Sequence, residues 1–123
     1  MNGDYLELAG PVSEVEVVQT LVDLLRPLAT QPNSSSYTTL TLDDHNFAFV
    51  DFCPGGPWTA TLAIGHLADD DRARRAMARR VYQRLMADTS WHLRWTSDAS
   101  PEVYEVTVRG RAVPAQAGSA AAS

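Results

Sequence analysis

The sequence has no lysine, little cysteine and no long apolar run, and each of these absences bears on its function. Its 123 residues include no lysine, a single cysteine and no apolar run near the roughly 20 residues that cross a bilayer. All ten basic residues are arginine, and the formal net charge is −5. This acidic balance disfavours broad binding to nucleic acid or to anionic lipid, so we expect neither as a partner.

The single cysteine, Cys53, excludes an internal disulfide framework and is typical of a reducing compartment. The first ten residues contain no basic segment followed by an apolar stretch, as a secretory signal would. These two observations predict a cytoplasmic protein.

Periodicity in the chain predicts an α+β fold. Period-two alternation indicates strands at residues 4–10, 36–42, 46–52, 58–65, 90–97 and 102–110, and helical spacing indicates helices near 13–25 and 69–87. The order β-α-β-β-β-α-β-β predicts a two-layer domain, in which both helices cover one face of an antiparallel sheet. We expect one domain over residues 1–111 and a disordered tail over 112–123, which has only small and polar residues near its end.

Local signals define the ends of the first predicted helix. Ser13 and Glu16 have the spacing of a capping box, in which each satisfies a backbone N–H at the helix start. Pro27 should end the helix near Leu25, because the residue before a proline is forced out of the helical region.

The second predicted helix carries most of the basic charge. Residues 69–84 contain six arginines and three aspartates, whereas the rest of the chain has twelve acids and four arginines. Met77, Val81 and Leu85 form one apolar stripe, so the pattern indicates a solvated, ion-paired helix docked by one face. The opposite side presents three arginines that could contact a protein or a phosphate: Arg72, Arg75 and Arg79.

No motif for metal, cofactor or catalysis is present in the sequence. Asp43, Asp44 and His45 form an acidic turn, but metal-ligand spacings such as C-x-x-C are missing, and so are phosphate loops and nucleophile motifs. Cys53 has no histidine near it in the chain and is interpreted as a buried, inert thiol at a strand end. We therefore predict no metal and no cofactor, and leave an enzymatic role open while favouring a non-catalytic one.

Asp51 is the candidate for a carboxylate in a ligand-binding pocket. It shares strand parity with Phe47 and Phe49, so it is either held in an ion pair or placed in a pocket. The alternative functional hypothesis is accordingly a small-molecule-binding domain or minor enzyme, with a pocket between sheet and helices lined by Phe47, Phe49, Asp51 and Trp95.

The favoured hypothesis is a non-catalytic, protein-binding domain of a bacterial type. The layout of a helix, three strands, a helix and two strands in a small acidic chain resembles that of bacterial secretion chaperones, and an immunity or antitoxin protein is the other type considered. Acidic patches favour a basic partner, and the predicted contacts are acids and one tryptophan: Asp43, Asp44, Asp98, Glu102 and Trp58. A homodimer formed through an edge strand such as 102–109 is a third hypothesis.

Overall fold

A computed structural model describes residues 2–32 and 37–98, together with the backbone of residues 105–107. Two helices and seven strands follow one another in chain order as β1 (Asp4–Ala9), α1 (Glu14–Leu25), β2 (Ala29–Pro32), β3 (Tyr37–Thr41), β4 (Asn46–Phe52), β5 (Ala60–His66), α2 (Asp71–Asp88), β6 (His92–Ser97) and β7 (Glu105–Thr107).

The strands form one antiparallel sheet in the order β2-β3-β4-β5-β1-β6-β7. The predicted α+β class and the predicted order of elements are confirmed. The short strand β2 is an addition, since no strand was predicted between the first helix and residue 36. All four of its residues are exposed, so no alternation of buried and exposed positions marked it in the sequence.

Both helices pack on the same face of the sheet, as predicted. The core joins inward residues of the strands, such as Leu62 and Ile64, to Val17 and Leu21 of α1 and to a longer stripe on α2. That stripe consists of Arg74, Met77, Ala78, Val81, Tyr82 and Leu85. Val15, at the start of α1, is 76% exposed, because the buried side of that helix is centred on Val17 and Leu21.

Side chains cap both helices at their N-termini. The Ser13 hydroxyl accepts a hydrogen bond from the Glu16 backbone N–H over 3.1 Å, as the capping box predicts. The Asp70 carboxylate accepts from the Ala73 N–H over 3.0 Å, so α2 begins at Asp71 and not at residue 69. Asp69 has a φ of 56°, which is incompatible with a right-handed helix.

Two sequence predictions fall largely outside the described residues. The strand expected at 102–110 is described only as the backbone of β7, which pairs with β6. The tail predicted to be disordered, 112–123, lies outside the described residues.

Candidate functional site

The sheet has a second face, opposite to both helices, that we call the open face. Register places these side chains on it from edge to edge: Gln31, Tyr37, Thr39, Phe47, Phe49, Asp51, Thr61, Ala63, Tyr5, Glu7, Arg94 and Thr96. Antiparallel sheets commonly leave one face in water, and such a face is normally polar. Here, four aromatic residues interrupt the polar pattern.

The aromatic residues of β3 and β4 contact one another on the open face. The ring centroids of Tyr37 and Phe49 are 5.3 Å apart in an edge-to-face arrangement, and those of Phe47 and Phe49 are 5.2 Å apart. Tyr37 is 36% exposed and Phe49 is 40% exposed. Contiguous exposed apolar surface rimmed by polar groups is characteristic of interaction sites.

Small residues of β5 create a depression beside these rings. Ala63 lies between Phe49 and Tyr5 in the register, and Gly65 lies opposite Phe47. The resulting shallow cavity of about 140 Å³ has Phe47 and Phe49 on one side and Tyr5 on the other. We call these five residues, Tyr5, Phe47, Phe49, Ala63 and Gly65, the aromatic trough.

The ring of Phe47 approaches Gly65 closely. A Cβ atom at this position would lie 2.5 Å from Cζ of Phe47, well inside van der Waals contact. The Phe47 ring therefore lies directly over the backbone of β5 and forms one end of the aromatic trough.

Acidic side chains border the aromatic trough. Asp51 is exposed one register row beyond Phe49, and Asp98 lies next to Tyr5 at the opposite end. Glu7 is neutralised by Arg94, whose Nε donates to Glu7 Oε1 over 2.6 Å while Nη2 also contacts that oxygen. Asp51 and Asp98 therefore contribute net negative charge to this surface.

Asp98 also holds one side of the aromatic trough in place. Its Oδ2 accepts hydrogen bonds from the Tyr5 hydroxyl over 2.7 Å and from the Gly3 N–H over 3.1 Å. The bond to Asp98 stabilises the neutral phenol, and burial acts in the same direction, so the pKa of Tyr5 is raised above its ordinary value.

Asp51 acts on the single cysteine of the chain. Cys53 is exposed at the end of β4, two residues beyond Asp51. The negative charge of Asp51 is the main cause that raises the pKa of the Cys53 thiol, with partial desolvation and a hydrogen bond to Asp51 as further causes. The prediction that Cys53 is buried is wrong, since the side chain is exposed just beyond the strand end. The raised pKa disfavours the thiolate, so low reactivity stays the expectation.

The predicted pocket around Asp51 does not form between the sheet and the helices. Phe47, Phe49 and Asp51 share a face, as their parity indicated, but that face points away from both helices. Trp95 lies on the helical face, where it is fully buried and donates from Nε1 to Asp4 Oδ2 over 2.7 Å. The structure therefore separates Trp95 from the other three residues, and Asp51 is exposed.

The residues predicted to contact a partner, Asp43, Asp44 and Trp58, differ in their exposure and in their hydrogen-bond partners. Asp43 Oδ1 accepts from the backbone N–H groups of His45 and Asn46 over 2.8 and 2.7 Å, so this carboxylate closes the β3–β4 turn. Asp44 beside it is exposed. Trp58 is half-buried, and the Arg94 guanidinium carbon lies 5.0 Å from its ring centroid. Glu102 lies outside the described residues.

The carboxyl of Asp43 has a lowered pKa. Partial burial acts to raise it, but the hydrogen bonds from His45 and Asn46 to the charged form outweigh that effect.

The three arginines singled out on α2 line a surface concavity with Asp71 and Ala76. Arg72 and Arg79 are exposed and Arg75 is half-buried. The guanidinium carbon of Arg79 lies 5.2 Å from the Trp95 ring centroid, so part of its stem covers the core.

Arg74 is a residue whose role the sequence analysis missed. It is fully buried and donates from Nε to Asp4 Oδ1 over 2.6 Å, and Nη1 binds Asp71. Burial acts to lower the pKa of Arg74, but these two carboxylates more than offset it, so the pKa is raised. The sequence signal for the burial of Arg74 is its place on the helical wheel, since position 74 lies one turn before Met77 and Ala78 on the buried side.

A second depression lies on the helical side of the molecule. It is an open groove of about 590 Å³ between the C-terminal halves of α1 and α2 and the β3–β4 turn. Its floor is apolar, with Leu24, Leu25, Leu42, Met77 and Val81, and its rim carries Asp43, Arg80, Arg84 and Asp88.

Within residues 2–32 and 37–98, histidine, cysteine and acidic side chains form no cluster that could hold a metal ion. None of the described helices combines the length and apolarity needed to cross a membrane. No family model, curated protein or solved structure matches this chain. The candidate site is therefore defined by its own geometry, as an aromatic trough with an acidic border on the open face of an α+β sheet.

Proposed function

We propose that this chain is a non-catalytic bacterial protein-binding domain, of the immunity or antitoxin type or of the secretion-chaperone type, and that it binds its partner through the open face. The observation that supports this proposal is the contact of Tyr37, Phe49 and Phe47 on a face that neither helix covers. Aromatic residues in a patch with a polar rim are enriched at protein interfaces, where they supply most of the binding energy.

The acidic border supports a basic partner. Asp51 and Asp98 place part of the negative charge of this chain, whose net charge is −5, at the open face, so association with a basic protein is accelerated electrostatically. The single cysteine, a free thiol, agrees with a cytoplasmic location, which is part of the proposal.

The experiment is affinity capture from the native lysate with wild-type protein and two matched variants. Phe49→Ser removes an exposed apolar side chain from the open face, and Val15→Ser removes one from α1 on the other side. We expect a stoichiometric partner on wild type and Val15→Ser but not on Phe49→Ser. A partner retained equally by all three proteins, or no partner on wild type, would argue against this site.

A small-molecule-binding function is the second candidate, and the groove between the helices is the observation that favours it. Its size lies in the range of ligand sites, and its floor is apolar. Ala87 is exposed at the groove, so Ala87→Trp should fill it without disturbing the core. A compound that raises the melting temperature of wild type but not of Ala87→Trp would support this candidate, whereas equal shifts would place the compound elsewhere.

A further inference from the structure

We infer that the occupant of the open face is a basic amphipathic helix of the partner protein, lying diagonally across the aromatic trough as a third layer on the sheet. This inference rests on the protein-binding function proposed above and names the chemistry of the partner.

The open face suits a helix as its covering element, because a sheet face that is withdrawn from water is buried against a helix or a second sheet. Ala63, at the middle of the floor, leaves room for a large apolar side chain between Phe49 and Tyr5.

Charge favours a basic partner over a second copy of the chain. In a dimer formed through the open face, Asp51 and Asp98 of both copies would bring like charges into one interface and weaken it.

The positions of the two acids specify where the helix carries its cations. Asp51 shares a register row with Glu7, and Asp98 lies opposite Gly3, four residues away along β1 and three strands across from β4. Ordinary strand dimensions put the two carboxylates at opposite corners of the aromatic trough, about 20 Å apart. A helix rises about 1.5 Å per residue, so arginine or lysine near both ends of a stretch of about 13 residues meets both acids.

Two synthetic peptides of 18 residues provide the test. Both have leucine at i, i+4, i+7 and i+11; one has arginine flanking this stripe at both ends, and the other has glutamate at the same positions. Binding is measured by fluorescence anisotropy of the labelled peptide, and the helix content of the bound peptide by circular dichroism.

Four variants locate the binding. Phe49→Ser and Asp51→Asn change the open face, whereas Val15→Ser and Asp23→Asn remove an exposed valine and an exposed acid from α1. We expect the basic peptide to bind at least about tenfold more tightly than the acidic one, with a loss of about tenfold in Phe49→Ser and about threefold in Asp51→Asn. The two α1 variants should bind like wild type. Asp51→Asn changes an exposed side chain, so its effect on peptide affinity can be interpreted even if Phe49→Ser destabilises the protein.

Three results would overturn the inference: equal affinity for both peptides, binding of the basic peptide that Phe49→Ser and Asp51→Asn leave unchanged, or a wild-type homodimer that Phe49→Ser dissociates. A different result would refute the proposed function: the capture experiment yields no partner that binds wild type but not Phe49→Ser. A captured partner whose contacting segment is a strand or an acidic segment would refute the helix while the protein-binding function stood.

Discussion

The Arg74 guanidinium and the Asp4 carboxylate form an ion pair that is buried completely, with 2.6 Å between Nε and Oδ1. Trp95 and Ser97 donate further hydrogen bonds to the same carboxylate. The pair joins α2 to the first strand of the sheet. Burial of the two charges is tolerated because each faces the other, Asp71 also binds Arg74, and Trp95 and Ser97 donate to Asp4.

Removal of one member of this pair should therefore be costly. Arg74→Met leaves the Asp4 carboxylate buried without its cation, and we expect the free energy of unfolding to fall by about 3–5 kcal/mol in urea denaturation. Arg84→Met is the matched control, because its pair with Asp88 is half-exposed and should contribute only about 0–1 kcal/mol. A loss in Arg74→Met no larger than the control would contradict the prediction. The double variant Asp4→Leu/Arg74→Met should recover part of the loss, since it leaves neither charge behind.

The contact between Phe47 and the backbone of Gly65 gives a second prediction. Gly65→Ala places a methyl group where the ring now lies, so the ring must move, and we expect a destabilisation of about 1–3 kcal/mol. In a Phe47→Ala background, the same change should cost much less, because the clash is gone. Gly56→Ala is the control, since the nearest atom to its added Cβ is 3.8 Å away. If the stability losses of Gly65→Ala and Phe47→Ala simply add in the double variant, the Phe47 ring is not the group that clashes with the added methyl.

The reactivity of Cys53 should be set by Asp51. Because the charge of Asp51 raises the pKa of the thiol, the thiolate fraction near neutral pH is low although the side chain is exposed. We expect Asp51→Asn to shift the pH midpoint of iodoacetamide alkylation downward and to speed the reaction at neutral pH. Asp44→Asn, a loss of charge at the β3–β4 turn, should leave the profile unchanged. An identical profile in wild type and Asp51→Asn would rule out the carboxylate as the cause.

Acid should weaken the β3–β4 turn through Asp43. The pKa of this carboxyl is lowered in the folded protein, so its contribution is present above the ordinary carboxyl value of 3.8 and is lost as the pH falls through the lower folded-state value. The urea midpoint should therefore fall on acidification from about pH 5 to about pH 2, and Asp43→Asn should reduce that fall. Asp44→Asn should keep the wild-type slope. An unchanged pH dependence in Asp43→Asn would assign the acid sensitivity to other carboxylates, such as Asp71.

The sequence predicted most elements because their physical signals are local. Alternation in β4 and β5 and the capping box at Ser13 depend on residues two to four positions apart, so they are recognisable in the sequence without knowledge of the fold. β2 lacks such a signal because its residues are all exposed, and its existence depends on pairing with β3.

The site was harder to predict because both sides of β4 are apolar. Parity correctly grouped Phe47, Phe49 and Asp51 on one face, with Ala48 and Val50 on the other. A period of two separates the faces but does not say which one receives the helices, and the larger aromatic residues were assigned to the helical side. In the structure, the small residues Ala48 and Val50 face the helices, and the aromatic residues are left on the open face.

Composition and local pattern determined that this chain is an acidic α+β domain with two amphipathic helices, because charge, parity and helix ends are properties of neighbouring residues. Tertiary structure alone decided that Arg74 turns inward to Asp4, seventy positions away, and that Tyr5 lines the same depression as Phe47 and Phe49 from the other side of β5. Both outcomes depend on which strands become neighbours and on which face the helices pack, and those choices are made by the free energy of the whole core rather than by any single segment.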